Sequence, residues 1–334
     1  MNEKQINGAL YGFIVGDALG VPVEFKKREY LKQNPVINMM ENKYRKTTKG
    51  YWSDDTAMTL CTMRSIIDVK GANIKLQESI MNNYLKWADK GYMAINNRTF
   101  GIGQATLRSM IEYSKSKSFE EYYKNKLKKE EKRNGGNGAL MRILPLILYL
   151  YQFDFSENEK ISETENLNRK YEFIEFNVRL THNNFINAQS CIFYTMFIFN
   201  LLETNNLNES YDLSIKQFKE RYKYVPQDLK RIISKKVIYV DEDEIKSTGY
   251  VVYTLEASLW CLFNSNDFKE LVLKAVNLGE DADTVGAITG SLGGIYYTYN
   301  QIPEEWLNQL CEKDMIDKTI KEYKKKILYP NNSN

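Results

Sequence analysis

Apolar residues recur along this chain at intervals of three and four, the spacing of one face of an α-helix. The first such stretch runs from Glu3 to Leu19 and is ended by Gly20 and Pro22. Similar patterns predict further helices over 54–67, 140–151, 184–202, 251–263 and 285–297. We find no run of alternating apolar and polar residues that is bounded by hairpin turns. The pattern therefore predicts an all-α protein.

Nothing in the sequence marks a domain boundary, although 334 residues would allow two domains. The chain shows no internal repeat and no low-complexity linker. Two polar segments, 115–133 and 205–247, are interpreted as peripheral excursions, and the tail from 321 onward is expected to fray. We therefore predict a single domain over residues 1–334.

The charge of the chain is nearly balanced, with 46 basic and 43 acidic residues. This balance does not indicate a nucleic-acid or membrane partner. No apolar run approaches the roughly 20 residues that would span a bilayer, and the charged N-terminus is not that of a signal peptide. The four cysteines are widely separated and form no CxxC pair. A reducing, cytoplasmic location is expected.

The chain has a single histidine, His182. This count argues against His-rich zinc sites and against HD-type metallohydrolases, which need several histidine ligands. If the protein binds a metal, the ligands must be oxygen atoms, which favour Mg²⁺, Mn²⁺ or Ca²⁺.

Two acidic segments of the same form precede predicted helices. One is Ser53-Asp54-Asp55-Thr56, and the other is Gly279-Glu280-Asp281-Ala282-Asp283-Thr284. Each could be an ordinary capped helix start. However, two acids at one helix start repel each other unless a cation is present. If the two segments meet, their carboxylates and hydroxyls could surround one or two hard cations.

Asp17 and Glu24 form a third acidic element near the end of the first predicted helix. Asp17 lies on an otherwise apolar surface, so it either caps a neighbouring loop or acts with other acids at a site. The same helix has a glycine face, and so does the helix predicted over 285–297. These faces would let other helices approach closely: Gly12, Gly16 and Gly20 in the first, Gly286, Gly290, Gly293 and Gly294 in the second.

A glycine-rich stretch, 135–142, runs into an apolar helix and could bind phosphate through backbone N–H groups. A flexible turn is the alternative, and residues 100–106 have the same ambiguity. Arg142 follows within an apolar region, where a buried arginine is expected to have a carboxylate partner. His182 could be a cap, a core group or a hydrogen-bond partner of a ligand.

Together, these segments resemble the ADP-ribosylglycohydrolase family. The matching stretches cover almost the whole chain and follow in order: GALYGFIVGDALGVPVE at 8–24, WSDDTAM at 52–58, residues 100–106, NGALMRILP at 137–145, Thr181-His182, STGYVVYTLEASLWCL at 247–262 and AVNLGEDADTVGAITGSLGG at 275–294. The resemblance implies an all-α, single compact orthogonal helical domain with two divalent cations, Mg²⁺ or Mn²⁺, at the bottom of a cleft.

The resemblance also implies roles for particular residues. The implied metal ligands are Ser53, Asp54, Asp55, Asp281, Asp283 and Thr284. Glu24, Asp55 and Asp281 are the implied catalytic residues, with Glu24 as an acid–base or gating group. The implied contacts to ADP-ribose are Gly101, Gly103, Asn137, Gly138, Ala139 and His182.

Three positions depart from the family pattern. Ser53 replaces a more common threonine and keeps the hydroxyl group. Phe100 stands where many members have an aspartate, so no base is assigned there. Asn184 follows the histidine where many members have a proline nearby.

The expected activity is metal-dependent hydrolysis of the bond between C1″ of ADP-ribose and an acceptor, which reverses mono-ADP-ribosylation. One alternative is a catalytically silent family member that binds ADP-ribose or is structural. A second is a metal-dependent hydrolase of a phosphoester or nucleotide. The expected partner is an ADP-ribosylated protein or another acceptor, whose identity the sequence leaves open.

Overall fold

The computed structural model describes residues 1–128, 130, 135–157 and 160–329. The chain is 72% helical, and the residues described contain no β-strand. The all-α prediction is therefore confirmed.

The α-helices are numbered in chain order. They are α1 Glu3–Gly20, α2 Arg28–Gln33, α3 Asp54–Asp68, α4 Ile74–Lys90, α5 Gln104–Lys115, α6 Phe119–Leu127, α7 Leu144–Gln152, α8 Glu163–Thr181, α9 Phe185–Thr204, α10 Leu207–Arg221, α11 Lys230–Ile233, α12 Val251–Phe263, α13 Phe268–Asn277, α14 Ala282–Tyr296, α15 Glu304–Gln309 and α16 Lys313–Leu328.

One predicted helix needs correction. The apolar run at 140–151 is divided into a 3₁₀-helix, Asn137–Arg142, and α7. Pro145 lies in the first turn of α7, where its missing N–H is tolerated. The same ring restricts the residue before it, so a proline favours the start of a helix over its interior.

The chain divides into two compact units. The first comprises Met1–Thr56 and Met196–Lys313, and the second comprises Ala57–Thr195 and the chain from Asp314 onward. In the first unit, α14 packs against α1, α12 and α13. In the second, α8 packs against α5, α6 and α7. The prediction of one domain over 1–334 stays a prediction.

The closest packing in the first unit is between the glycine faces of α1 and α14, which run antiparallel. A Cβ atom on Gly12 would lie 2.2 Å from the carbonyl oxygen of Gly290, and one on Gly16 would lie 2.0 Å from that of Gly286. Side chains at these positions would therefore force the helices apart. The glycines bring the C-terminal end of α1 next to the N-terminal end of α14, where the predicted acids lie.

The two segments predicted as peripheral excursions contain buried residues. In 205–247, Tyr211 and Phe218 of α10 are fully buried. In 115–133, Phe119 and Tyr122 of α6 are buried, while residues 129 and 131–133 lie outside those described. Both segments are thus packed through amphipathic helices, which the sequence pattern did not reveal.

Two segments, Glu3–Val23 and Phe185–Thr204, are long and apolar enough to cross a membrane by length and composition. The expectation that no apolar run reaches this length is therefore wrong. Their apolar stretches are 94% and 89% buried within the protein, as core helices are. Length and composition alone are weak evidence for a membrane span.

Candidate active site

Asp17, on α1, holds the start of α3 in place. It is fully buried, and its carboxylate accepts hydrogen bonds from the backbone N–H of Ser53 at 3.0 and 3.1 Å and of Thr56 at 3.0 Å. The hydroxyl of Thr56 also donates to it at 2.5 Å. Asp17 therefore satisfies the N–H groups that a helix start leaves unpaired. Of the two roles considered from the sequence, capping is the one its contacts show.

The loop before α3 is also held by hydrogen bonds to Cys311. The indole N–H of Trp52 donates to the carbonyl oxygen of Cys311 at 2.9 Å, and the N–H of Cys311 donates to that of Gly50 at 3.0 Å. Trp52 is buried. These contacts and Asp17 leave Ser53 little freedom.

Ser53, Asp55 and Thr284 form a hydrogen-bonded group. The Ser53 hydroxyl donates to Oδ2 of Asp55 at 3.1 Å, and the Thr284 hydroxyl donates to the same oxygen at 3.4 Å. The two acidic helix starts therefore meet, as the sequence hypothesis required. Oδ1 of Asp55 is buried and has no hydrogen-bond partner among the residues described.

The N-terminal end of α14 is built on an unusual backbone. Gly279 and Glu280 both have a positive φ, of 77° and 57°. A Cβ on Gly279 would lie 2.6 Å from the carbonyl oxygen of Lys26, so only glycine fits there. The N–H of Asp281 donates to the carbonyl oxygen of Ser247 at 2.9 Å. This turn presents Asp281 and Asp283 from the same helix end.

Glu24 joins these two acids. One carboxylate oxygen from each of Glu24, Asp281 and Asp283 lies within 4.8 Å of the others, the spacing of a possible metal site. Glu24 also forms an ion pair with Arg45. The structure thus gathers every metal ligand implied from the sequence in the first unit, and it places Glu24 beside two of them.

Burial and mutual repulsion oppose the charge on these acids. Burial raises the pKa of Asp17 to about 6, against the hydrogen bonds that lower it. Burial also raises the pKa of Asp54, Asp55 and Asp283 well above the usual value, and nearby carboxylates raise it further. In Asp54 and Asp55 the largest such contribution is from Asp17, and in Asp283 it is from Glu24.

The donor set fits hard divalent cations. Carboxylate and hydroxyl oxygens are the ligands that Mg²⁺ and Mn²⁺ prefer. A bound cation would give Oδ1 of Asp55 a partner, and it would offset the repulsion between the buried acids. Ser53, Asp54, Asp55, Asp281, Asp283 and Thr284 could therefore hold such ions, with Glu24 close enough to join them.

The residues implied to contact ADP-ribose lie in the second unit. Asn137 and Ala139 are buried in the 3₁₀-helix, and between them Gly138 lies against His182. A Cβ on Gly138 would lie 2.9 Å from Cε1 and 3.1 Å from Nε2 of the imidazole. By contrast, Gly103 has open space where a Cβ would stand. Gly101 has a φ of 83°.

His182 is held by a short chain of hydrogen bonds. Arg142 donates to Oγ1 of Thr181, and that hydroxyl lies 2.9 Å from Nδ1 of His182. An arginine side chain cannot accept a hydrogen bond. The Thr181 hydroxyl therefore accepts from Arg142 and donates its own hydrogen to Nδ1 of His182. This assigns the imidazole proton to Nε2, the nitrogen nearest Gly138. Burial, together with a smaller effect of the charge of Arg142, lowers the pKa of His182 to about 3.

The expected carboxylate partner of Arg142 is not found. In the part of the chain that the structure describes, no ion pair joins this buried guanidinium to an acid. Its Nη1 donates instead to Oδ1 of Asn177 at 2.9 Å and to the hydroxyl of Tyr84 at 3.2 Å. Its carbon Cζ lies 4.8 Å from the centre of the Tyr84 ring. Neutral acceptors and an aromatic face thus replace the carboxylate.

Sequence reasoning missed three contributors to the site. Arg45 pairs with Glu24, Phe25 lies beside both, and Ser247 supplies a carbonyl oxygen to Asp281. Ser247 begins a stretch that carried the family resemblance, but it contacts Asp281 through its backbone carbonyl, which any residue could supply. Arg45 and Phe25 belong to no periodic pattern, so no signal pointed to them.

Comparisons with known proteins agree with the resemblance. The sequence model of a family described as ADP-ribosylglycohydrolase matches residues 2–331. ADP-ribosylarginine hydrolase Tri1 of Serratia proteamaculans is 30% identical over 309 residues, which are 92% of this chain and 76% of the relative. ADP-ribosyl-[dinitrogen reductase] glycohydrolase of Rhodospirillum rubrum is 25% identical over 315 residues, 92% of this chain and 90% of the relative.

A solved structure is also similar to this chain. It is titled ADP-ribosylglycohydrolase-related protein complex and aligns with a TM-score of 0.74 and 26% identity. The alignment covers 96% of this chain and 97% of that one. The similarity therefore extends over nearly the full length of both chains.

Proposed function

This chain belongs to the ADP-ribosylglycohydrolase family, a family of hydrolases, and we propose that it uses two divalent cations to cleave the bond between C1″ of ADP-ribose and an acceptor. Free ADP-ribose and the unmodified acceptor would be the products. The reaction would reverse mono-ADP-ribosylation.

The observation that supports this proposal most is the state of Asp55. Two hydroxyls orient one of its oxygens, while the other is buried without a hydrogen-bond partner among the residues described. A buried, unpaired carboxylate oxygen is costly unless something binds it. The neighbouring oxygens of Glu24, Asp281 and Asp283 favour a cation as that partner.

Different residues of the chain would position the reacting groups and transfer the proton. Bound there, Mg²⁺ or Mn²⁺ would supply electrophilic contacts to the ribose hydroxyls and to water. Asp55 and Asp281 would set the position of the reacting groups, because both are fixed by hydrogen bonds. Glu24 would carry the proton from the attacking water to the departing acceptor.

Within the second unit, the family resemblance assigns contacts to ADP-ribose to a small group of residues. Gly138 has no side chain to obstruct a ligand oxygen, and the Nε2–H of His182 is a donor beside it. Asn137, Ala139, Gly101 and Gly103 are assigned to the same task.

The acceptor is proposed to be a protein side chain. Two similar proteins are named as hydrolases of ADP-ribosylarginine and of ADP-ribosyl-dinitrogen reductase. The nearly balanced charge of this chain gives no reason to propose a nucleic-acid partner. A cytoplasmic location is part of the proposal.

The test is release of ADP-ribose from arginine-, serine- and base-linked substrates, measured with Mg²⁺, with Mn²⁺ and with a chelator. We expect metal-dependent release from at least one substrate. Asp54→Asn and Asp281→Asn should abolish release while the circular dichroism spectrum stays helical. Asp212→Asn is the matched control, since Asp212 is an exposed acid whose ion pair is with Lys235 and not with a residue of the acidic cluster.

Each of the other outcomes would contradict part of this proposal or support one of the alternative functions. Release that persists in chelator in both aspartate variants would refute the dimetal site. Tight binding of ADP-ribose without release from any substrate would identify a silent family member. The appearance of AMP or phosphate would identify a hydrolase of phosphoesters. Divalent metal should also raise the melting temperature, because it binds only the folded site.

A further inference from the structure

Glu24, Phe25 and Arg45 form a group at the edge of the acidic cluster. The guanidinium of Arg45 pairs with the carboxylate of Glu24, and its Cζ lies 5.4 Å from the centre of the Phe25 ring. These two contacts are with a carboxylate and an aromatic face, which both suit a planar guanidinium. An ammonium group would match the carboxylate but has no flat face to set against an aromatic ring.

The backbone holds Phe25 out in a costly conformation. Its φ is 66°, a region that bulky residues rarely adopt, and its side chain is 69% exposed. The N–H of Phe25 donates to the carbonyl oxygen of Glu280 at 2.6 Å, and the N–H of Glu280 donates to that of Lys26 at 2.7 Å. The turn before α14 therefore fixes an exposed ring next to Glu24. Folding alone gives no reason to place an aromatic ring there.

Arg45 lies on a small turn that Asn42 ties to the chain before Glu24, through a hydrogen bond of 2.8 Å to the carbonyl oxygen of Pro22. Asn42 and Thr47 pair through two backbone hydrogen bonds of 3.0 Å, and Tyr44 between them is 97% exposed. Buried Met39 and Thr47 anchor the chain on either side of this turn. Arg45 could leave Glu24 by a movement of its side chain.

We propose that Glu24 and Phe25 form a subsite for the guanidinium group of an acceptor, and that Arg45 is the chain's own occupant of it, which the acceptor displaces. The inference rests on the proposed function, because the acceptor is bonded to C1″ and must lie beside the cluster that holds the ribose. It selects arginine-linked ADP-ribose among the acceptors left open. It also makes Arg45 an internal competitor that lowers the apparent affinity for that acceptor.

The test measures binding of L-arginine methyl ester by calorimetry, with chelator present so that no metal enters the comparison. Arg45→Ala should bind this probe about tenfold more tightly than the wild type, since the internal competitor is gone. Adding Phe25→Leu to that variant should weaken binding about fivefold by removing the aromatic face. Arg169→Ala, which removes a partly exposed arginine of an i,i+4 ion pair outside this group, should bind like the wild type.

The probe L-lysine methyl ester separates a guanidinium subsite from general attraction of cations. We expect Arg45→Ala to gain no more than about twofold for this ester. An equal gain for both esters, or no gain for the arginine ester, would overturn the proposal.

Kinetic measurements then test whether the subsite affects hydrolysis of arginine-linked ADP-ribose. With metal present, Arg45→Ala should lower KM for the arginine-linked substrate relative to KM for a serine-linked substrate. If no substrate is cleaved but the arginine ester still binds more tightly, the proposed reaction fails and the subsite stands. If arginine-linked ADP-ribose is cleaved and the probe affinities do not change, the reaction stands and the subsite is wrong.

Discussion

The carboxylate of Asp17 accepts two hydrogen bonds from the backbone N–H of Ser53, at 3.0 and 3.1 Å. The acid of one helix thereby fixes the first residue of the acidic segment that precedes another. We expect Asp17→Asn to lower the free energy of unfolding by about 1–3 kcal/mol, because an amide offers one acceptor where the carboxylate offers two. Urea denaturation measures this loss.

The same variant should also weaken metal binding by about 10–100-fold, since groups that orient metal ligands contribute that much. Titration with Mn²⁺ measures the affinity. Asp212→Asn is again the control and should leave this affinity unchanged. An Asp17→Asn protein that binds Mn²⁺ like the wild type would show that Asp17 does not position Ser53 and its neighbours for a metal.

The glycine contact between α1 and α14 makes a second prediction. In Gly290→Ala the added Cβ would lie 2.1 Å from the carbonyl oxygen of Gly12, and neither backbone can move without separating the helices. We expect a loss of at least about 2 kcal/mol in the free energy of unfolding. Gly103→Ala is the contrast, because its Cβ meets nothing within 4 Å. It should change stability by less than about 1 kcal/mol.

Local patterns predicted the helices well and long-range partners poorly. The periodic stretch at 3–19 became α1, Glu3–Gly20, and the stretch at 251–263 became α12 with the same bounds. The glycine faces indicated close helix contacts but not that α1 and α14 contact each other. The packing partner of a helix face depends on the whole fold, so the sequence of neither segment identifies it.

The candidate site shows the same limit. The acids were found because two segments had the same form, and no single segment would have been decisive. Asp17 was also a candidate, but the sequence around a buried acid is the same whether the acid caps a helix or binds a ligand. Arg45 and Phe25 were missed because their pairing with Glu24 joins residues across a turn that has no periodic pattern.

The buried acids predict an unusual pH dependence. A carboxyl group whose pKa is raised by folding binds its proton more tightly in the folded state than in the unfolded state. Its contribution to stability is therefore full at low pH and is lost as the pH rises from about 4, the unfolded value, through the folded pKa. For Asp17 that value is about 6, and for Asp55 it is higher than usual for the same reason, burial.

The measurement is urea denaturation in chelator between pH 4.5 and 8, for the wild type and for Asp55→Asn. We expect the stability of the wild type relative to this variant to fall as the pH rises. Exposed acids with lowered pKa, such as Glu120 and Asp154, contribute with the opposite sign but equally in both proteins. Mn²⁺ should restore the wild type at pH 7.5. A relative stability that rises with pH would contradict the assignment of a raised pKa.

The last prediction uses the fact that His182 is the only histidine of the chain. Labelling histidine with ¹⁵N therefore gives the signals of one imidazole, and the two nitrogens report which of them carries the proton. We expect a neutral ring with the proton on Nε2 throughout pH 5 to 8, because burial lowers its pKa to about 3. The hydroxyl of Thr181 should set this tautomer by donating to Nδ1.

Thr181→Val keeps the shape of the side chain and removes the hydroxyl. In this variant Nδ1 loses its donor, so we expect a mixture of tautomers and weaker binding of ADP-ribose. Ser109→Ala is the matched control, since it removes a buried hydroxyl that donates to the carbonyl oxygen of Thr181 and does not contact the ring in the structure described. A wild-type ring with its proton on Nδ1, or one that titrates near pH 6.5, would show that Arg142 and Thr181 do not fix His182 as a donor. If the tautomer changes in Thr181→Val but the affinity does not, His182 is fixed as described yet does not bind the ligand.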